Sequence, residues 1–285
     1  MGGLQGDYMS NSIPTKLWLL WFQGLDEAPY LVQKCIESWV KKNPTWEITV
    51  LDNSNLHNYM DTTIFDNELS KLPLVKKSNL VRLRLLEEYG GVWADATTYC
   101  TTPLDEWIQE ATTSSGFFVF HKPGPDRVMS NWFMASEKNS KIISKLKQDY
   151  ISFFSNNNFN VNTKAKKNFA KKIGKILNRS ANTTLHWFSP LFTKILKIHP
   201  YAIFHYMFYR LVTNDTECRK IWDKTKKISA DGPHRIQRFG MLASPDDIIK
   251  KEIDEKKTTV YKLTWKYKHE NYSSSSVLHY LFESE

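Results

Sequence analysis

Residues 76–100 read KKSNLVRLRLLEEYGGVWADATTYC, and this stretch predicts a helix, a sharp stop and a short buried strand. Apolar residues recur at helical spacing, and the double glycine Gly90-Gly91 is a typical left-handed helix C-cap. Residues 92–99 then predict a strand with an apolar start. Asp95 ends that apolar part, where a carboxylate without a partner is costly.

The position of Asp95 supports two interpretations. A carboxylate at the C-terminal edge of an α/β sheet usually faces a ligand crevice. Alternatively, Asp95 caps the turn that follows it, and Thr97 and Thr98 are ordinary strand residues. The sequence contains no P-loop, GxGxxG fingerprint, Ser-His-Asp order or CxxC pair that would point to a different chemistry.

Outward from this stretch, short apolar strands alternate with amphipathic helices, which predicts an α/β fold with a mainly parallel sheet. The predicted strands are 16–22, 46–51, 92–99, 116–121, 128–136 and 260–266. The predicted helices are 29–42, 68–88, 103–111, 139–155, 165–178, 184–197 and 200–213. We therefore expect one domain of residues 1–137 plus 226–285, interrupted by a basic helical subdomain of residues 138–225.

Composition is that of a globular protein, with 285 residues of which 41% are hydrophobic and 24% are charged. The aromatic fraction of 14% includes 10 tryptophans, which suits a sugar-stacking cleft or a membrane-interface surface. Cys35, Cys100 and Cys218 are scattered without metal spacing and predict reduced thiols in a cytoplasmic compartment. The sequence shows neither a secretory signal nor an apolar run of about 18 residues that could span a membrane.

Positive charge is concentrated in one part of the chain. The net charge is +9, from 39 Lys and Arg against 30 Asp and Glu, and no acidic residue lies between Tyr150 and Asn214. The segment 164–210 interleaves these basic residues with Trp, Phe, Leu and Ile, a pattern that can bind the headgroup region of anionic lipid. A helical subdomain with a solvated basic face is the alternative. Nucleic-acid binding is not expected, because no nucleic-acid motif accompanies the charge.

The sequence resembles the sugar transferases of glycosyltransferase family 32 and the capsular polysaccharide synthesis proteins grouped with them. Those proteins carry a Ser-Asp-x-x-Arg helix followed by a Tyr-Gly-Gly-x-Tyr/Trp-x-Asp strand. The matching residues here are Ser78, Asn79 and Arg82, then Tyr89, Gly90, Gly91, Trp93 and Asp95. The continuation ATTYCTTPLDEWI is similar to the capsular branch, in which Asp-Ala-Thr replaces the usual Asp-x-Asp. The resemblance implies a GT-A-like fold of the Rossmann type.

The resemblance also implies a nucleotide-sugar site. In the family, a tryptophan near the end of the first strand stacks on uracil, and Trp21 matches it, followed by Gln23 and Gly24. The acidic residue of the helix motif bonds the nucleotide, and the arginine contacts the donor sugar or its phosphates. Arg82 matches that arginine, whereas Asn79 replaces the acid with an uncharged amide.

Simpler roles stay open for the same residues. Trp21 could be a core aromatic residue. Ser78 and Arg82 are four residues apart and share one helix face. It is the resemblance that implies a place for both in the donor site. Arg82 could instead form a surface ion pair with Glu87 or Glu88.

Asp95 and Thr97 stand where the family has its two metal-associated aspartates. Because Mg²⁺ and Mn²⁺ prefer several oxygen ligands, the loss of one carboxylate makes dependence on a divalent cation doubtful. His234, in the loop DGPH, could complete a metal site, and so could Asp231. His234 could equally be an ordinary histidine in the turn made by Gly232 and the proline after it.

The predicted function is transfer, with retention, of a hexose or N-acetylhexosamine from a nucleotide-sugar donor, UDP-linked by resemblance, to a capsular or exopolysaccharide acceptor. Asp95 and Arg82 are the expected catalytic residues, and Asn131 and Trp93 are expected to contact donor sugar or acceptor unless they are sheet core. The acceptor would be a polysaccharide or a lipid-linked saccharide, with the protein cytoplasmic and peripheral at the inner face of the membrane. Two alternatives are a degenerate protein that binds a nucleotide sugar or glycan without turnover, and a transferase that modifies protein.

Overall fold

A five-stranded sheet forms the centre of the computed structural model, which describes residues 12–67, 69–157, 159, 164–267, 270 and 272–284. The strands are β1 (Lys16–Leu20), β2 (Glu47–Leu51), β3 (Gly91–Ala94), β4 (Thr98–Cys100), β5 (Phe117–Gly124), β6 (Arg127–Ser136) and β7 (Val260–Lys262). The central sheet has the order β2-β1-β3-β6-β5, and β4 pairs with β7 in a separate two-stranded sheet.

The direction of the strands confirms the predicted class. β1 runs parallel to β2 and to β3, whereas β6 runs antiparallel to both of its neighbours, β3 and β5. Four strands of the central sheet therefore point the same way and β6 alone is reversed. The fold is α/β with a mainly parallel sheet, as expected from the alternation of strands and helices.

Helices cover both faces of this sheet. They are α1 (Tyr30–Lys42), α2 (Leu74–Glu88), α3 (Ile108–Thr112), α4 (Lys141–Ser155), α5 (Lys164–Leu177), α6 (Ala181–Thr184), α7 (Ile203–Asn214), α8 (Thr216–Lys224), α9 (Arg235–Phe239), α10 (Asp247–Asp254) and α11 (Val277–Glu283). Within the described residues, no helix is both long enough and apolar enough to cross a membrane.

Several predicted boundaries were wrong for local reasons. The helix predicted over 68–88 begins only at Leu74, after Pro73, because proline inside a helix lacks the N–H donor and clashes with the preceding turn. Residue 68 itself lies outside the described residues. The helix predicted over 184–197 is broken into α6, a 3₁₀ turn and a π-helical turn, with Pro190 before the last of these. The predicted strand 260–266 ends at Lys262.

Alternate residues of each strand pack into two separate hydrophobic cores. Trp18, Trp93 and Phe117 face the core that α2, α4 and α7 cover. Leu17 and Val92, each one residue earlier, face the opposite core, against α1 and α3. This alternation is the period of two that a sheet covered on both faces requires.

The basic helical subdomain, residues 138–225, shares its core with the sheet. Tyr150 on α4, Phe204 and Phe208 on α7, and Trp187 between them belong to the same buried cluster as Trp93 on β3. The helices therefore complete one face of the sheet. The domain boundaries at 137 and 226 stay a prediction.

The double glycine lets α2 end directly against β1 and start β3. Gly90 and Gly91 have φ of +69° and +91°, which confirms the predicted left-handed cap. A Cβ on Gly91 would lie 2.4 Å from the carbonyl oxygen of Lys16 on β1. The carbonyl oxygen of Gly90 accepts a hydrogen bond of 3.0 Å from the Trp18 indole.

We predict that Gly91→Ala lowers the free energy of unfolding by about 2 kcal/mol or more. The added Cβ combines a disfavoured backbone conformation with a clash against backbone. Gly174→Ala in α5 is the control: its nearest neighbour is the flexible Asn178 side chain, and alanine favours helix, so stability should stay within about 1 kcal/mol. Urea unfolding followed by circular dichroism measures both, and an equal effect of the two substitutions would contradict this account.

Candidate functional site

The candidate site lies where the parallel strands end. Trp21 follows β1, Asp52 follows β2 and Asp95 follows β3, and these strands are neighbours that run in the same direction. The register pairs Trp18 with Trp93, so Trp21 and Asp95 leave the sheet at the same edge. The structure thereby places the predicted aromatic and acidic residues together.

The chain turns sharply at Asp95, and this turn ends β3. The backbone N–H of Asp95 donates to the Trp132 carbonyl at 2.7 Å, and the Asp95 carbonyl accepts from the N–H and hydroxyl of Thr98 at 2.8 and 2.7 Å. The single strand predicted over 92–99 is therefore wrong, because Asp95 to Thr97 form a turn between β3 and β4. The backbone carbonyl closes this turn, which leaves the carboxylate available to other partners.

Three side chains share the Asp95 carboxylate. Arg82 donates to Oδ1 at 3.1 Å and the Trp93 indole donates to the same oxygen at 3.0 Å. Lys262, at the end of β7, approaches Oδ2 at 3.4 Å and also contacts the hydroxyl of Thr97. Asp95 is thus held from both sides by positive charge.

Arg82 is buried behind Asp95. Its guanidinium donates to the backbone carbonyls of Ser78 and Asn131 and lies over the Trp93 ring, 4.9 Å from its centroid. A surface ion pair of Arg82 with Glu87 or Glu88 is therefore wrong. Arg82 is a positioning residue for Asp95 in this structure.

The charges around Asp95 keep it ionised. Burial by itself raises the pKa of this carboxyl, but the Arg82 and Lys262 charges and the indole hydrogen bond lower it more, so its pKa lies below the ordinary aspartate value. A permanent negative charge at this edge can orient cations and donors but cannot accept a proton near neutral pH.

The remaining helix-motif residues are turned toward the protein. Asn79 is buried, and its Oδ1 accepts a 3.1 Å hydrogen bond from the Asn131 amide. Ser78 donates to the Val75 carbonyl within its own helix at 3.0 Å. Trp93 is fully buried beneath Arg82. In this structure these residues build the wall of the site, and direct contacts with a ligand stay a prediction for each of them.

Trp21 forms an aromatic pair that sequence reasoning had not assigned. Its ring packs edge to face against Trp265, with 5.8 Å between centroids, and Trp265 is exposed. The Trp21 indole nitrogen is buried without a hydrogen-bond partner among the described residues. Gln23 is exposed and Gly24 has φ of +89°, so the chain turns tightly beyond Trp21. The available sequence signal for Trp265 was the aromatic and basic stretch YKLTWK, residues 261–266, that contains it.

Two of the three predicted metal ligands, Asp95 and Thr97, share one cation in this structure, and dependence on a divalent metal stays a prediction. The ammonium of Lys262 contacts a carboxylate oxygen of Asp95 and the hydroxyl of Thr97. These are the two oxygens that a bound metal ion would otherwise contact. Nδ1 of His234 bonds the Ala230 carbonyl, and its ring stands against Trp132. Within the described residues, no three His, Cys, Asp or Glu side chains are grouped closely enough to hold a metal ion. This donor set fits an ammonium better than a hard dication.

Two other sequence-based candidates can be placed. Asp231 is exposed and forms an ion pair with Arg238 at 2.6 Å, so it belongs to a surface turn. Burial, with the nearby positive charge of Lys262 and of Arg238 as lesser causes, lowers the pKa of His234, which favours a neutral imidazole.

Comparison with known proteins identifies the family. A family model described as "Capsular polysaccharide synthesis protein" matches residues 6–164, more than half of the chain. The chain belongs to this family, which confirms the resemblance seen in its motifs.

Individual relatives match a smaller part of the chain than the family model does. The O-glycosyltransferase braB of Annulohypoxylon truncatum is 30% identical over 148 residues, which cover 45% of this chain and 35% of that protein. The glycosyltransferase afumC of Aspergillus fumigatus is 32% identical over 153 residues, covering 47% and 39%. The chain thus spans less than half the length of these curated relatives. Among solved structures, the UDP-bound glycosyltransferase domain of the YGT toxin is similar over 87% of this chain and 91% of that chain, at 10% identity and a TM-score of 0.45.

We predict that Asp95→Asn lowers the free energy of unfolding at pH 7 by about 3 kcal/mol, because two cations lose their common partner. The difference from wild type should shrink on acidification. The lowered pKa of Asp95 stabilises the fold fully above pH ~4, the ordinary aspartate value, and this contribution is lost as pH falls through the folded-state pKa.

Urea titrations at neutral and acidic pH measure both effects. Asp231→Asn is the matched control, since it removes an exposed ion pair and should cost less than about 1 kcal/mol. A difference between Asp95→Asn and wild type that is the same at both pH values would rule out the charged pairing described here.

Proposed function

We propose that this protein transfers a monosaccharide from a nucleotide-sugar donor to an acceptor hydroxyl at the sheet edge marked by Asp95. The observation that carries the proposal is that Arg82 and Lys262 both pair with Asp95 at the sheet edge where Trp21 also lies, at the carboxyl ends of parallel strands. Family membership supports it, and the relatives that match the chain are named glycosyltransferases.

The electrostatics suit a diphosphate leaving group. Breaking the bond between the sugar and the diphosphate leaves negative charge on phosphate oxygens, and fixed positive groups lower the barrier to that step. Arg82 and Lys262 carry two positive charges against the single negative charge of Asp95, so this cluster is net positive. Asp95 in turn holds both cations in place and neutralises part of their positive charge.

The aromatic pair supplies a surface for a base. The Trp21 ring is half-buried and braced by Trp265, and a planar base can stack on such a ring. The choice of a UDP-linked donor follows from the family's use of a tryptophan at the end of the first strand. Transfer with retention is likewise proposed from the resemblance, and the description of the family supports a capsular or exopolysaccharide acceptor.

We predict that the purified protein hydrolyses one member of a panel of nucleotide sugars, and that Trp21→Ala raises KM for that donor about 10- to 100-fold. Base stacking on an aromatic side chain is worth about 1–3 kcal/mol, and the loss falls on donor binding. Phe169→Ala, which removes an exposed ring from α5, is the control and should leave KM unchanged.

Nucleotide release measured for each donor, with Asp95→Ala as the inactive reference, decides between enzyme and binder. Donor binding without turnover under any acceptor condition would favour the degenerate sugar-binding protein. Transfer to a protein acceptor, but to no glycan, would favour the protein-modifying alternative.

We further propose that the basic segment 164–210 attaches the protein to the inner face of an anionic membrane. Large apolar side chains of this segment are exposed: Phe169, Ile176, Leu191, Ile195 and Tyr201. Exposed lysines lie on the same helix as the first two: Lys167, Lys171, Lys172 and Lys175. Apolar side chains enter the headgroup region while lysines bind lipid phosphate, which would place a lipid-linked acceptor near the protein.

We predict that the double substitution Ile176→Glu with Ile195→Glu abolishes binding to vesicles containing anionic lipid. These side chains are 59% and 72% exposed, so their replacement should leave the fold intact. Ile248→Glu, at a 63% exposed isoleucine of α10 outside the basic segment, is the matched control. Co-sedimentation at low and high salt measures binding, and a wild-type protein that stays in the supernatant at low salt would end this proposal.

A further inference from the structure

The basic group beside Asp95 is Lys262, to which the sequence motifs assigned no role, and its position is that of a cation in the site. We propose that Lys262 replaces the divalent metal ion, so that its ammonium holds the leaving diphosphate and transfer proceeds without metal. This inference rests on the proposed transferase function. It identifies the group that would balance the negative charge of the leaving diphosphate.

The backbone around Lys262 is fixed on both sides. β7 pairs with β4 so that Lys262 lies opposite Thr98, directly after the turn that contains Asp95. The Lys262 N–H donates to the Pro233 carbonyl at 2.8 Å, and the Leu263 N–H donates to the Thr97 carbonyl at 2.8 Å. A flexible lysine side chain is thus anchored at its base and directed to the Asp95 and Thr97 oxygens.

The charge balance of the site supports this replacement. A site with two aspartates, an arginine and a dication has a net charge of +1 by formal count. Here Thr97 removes one negative charge, and one ammonium stands in place of the dication. Asp95, Arg82 and Lys262 therefore also sum to +1. The field presented to a diphosphate keeps its sign and formal magnitude, although the metal and one carboxylate are both gone.

Exposure shows which cation can reach a ligand. The Arg82 side chain is 4% exposed, whereas Lys262 is 16% and Asp95 29% exposed. Arg82 therefore supports Asp95 from the protein side, and Lys262 lies closer to the crevice. An ammonium has three donors, so Lys262 can keep Asp95 and Thr97 as partners and still donate to a phosphate oxygen.

The step assigned to Lys262 is the departure of the diphosphate. The bond between the anomeric carbon and the phosphate oxygen breaks, and its electron pair leaves with the diphosphate. A new bond forms from the acceptor hydroxyl oxygen to the anomeric carbon, and the hydroxyl proton passes to a phosphate oxygen of the leaving group. Lys262 stays protonated throughout and stabilises the charge that develops on the diphosphate.

Chelator experiments with matched variants test the assignment. Wild-type turnover should be equal within about twofold in EDTA and in Mn²⁺. Lys262→Met should lose at least about 100-fold in kcat, as removal of a charge-stabilising donor does, and Lys262→Arg should recover part of it. Lys147→Met is the control, since Lys147 also pairs with a carboxylate, Glu87, away from the site, and it should leave kcat unchanged.

Binding measurements separate a ligand contact from a structural role. Calorimetric titration in EDTA first identifies which of UDP and GDP binds wild type more tightly. That diphosphate and the corresponding monophosphate are then the two probes. Lys262→Met should weaken diphosphate binding about tenfold or more and monophosphate binding much less, because the charged hydrogen bond goes to the second phosphate. Equal losses for both probes would indicate that Lys262 only stabilises Asp95, and would overturn the assignment.

Direct measurement of Mn²⁺ binding provides a further test. Wild type should bind no Mn²⁺ in an electron paramagnetic resonance titration, whereas Thr97→Asp combined with Lys262→Ala restores two carboxylates and should bind it. Mn²⁺ binding by wild type, or turnover stimulated more than about twofold by Mn²⁺, would overturn the proposal. The absence of any nucleoside diphosphate binding would overturn it as well. Diphosphate binding through Lys262 with no turnover of any donor would contradict the transferase function alone.

Discussion

The ion pair between Arg82 and Asp95 joins the helix, the sheet and the site, and most of the observed arrangement depends on it. Arg82 is buried on α2, whereas Asp95 lies just beyond β3, so the pair spans the double-glycine turn that connects the two elements. A buried guanidinium without this carboxylate would be strongly destabilising. The remaining guanidinium contacts, to two backbone carbonyls and the Trp93 ring, fix the direction in which Asp95 is held.

The two-sided packing of the sheet makes such a pair tolerable. Apolar side chains bury both faces, so polar groups collect at the edge where the strands end and where solvent can reach Asp95. Lys262 reaches the second carboxylate oxygen from a separate two-stranded sheet. The carboxylate is therefore paired with a buried cation, Arg82, and a more exposed one, Lys262. The stability of the fold and the proposed ligand binding therefore depend on the same side chains, Arg82, Asp95 and Lys262.

Sequence reasoning predicted the local part of this arrangement and missed the long-range part. Arg82, the double glycine and Asp95 lie in one continuous stretch, where helix spacing and glycine caps carry a clear signal. Lys262 is 167 residues from Asp95, and nothing in its own neighbourhood marks it as an acid's partner. The turn after Ala94 was missed because the residues that fix it include Trp132, on a different strand. The reversal of β6 depends on strand pairing, which periodicity does not report.

The late arrival of Lys262 has a consequence for how the protein is made. A growing polypeptide that has reached β6 contains Arg82, Trp93 and Asp95, so the first half of the site can assemble early. β7 pairs with β4 only once the chain has been extended past Lys262. The crevice is therefore completed only after β7 has been made, later than the helix and strand that hold Arg82 and Asp95.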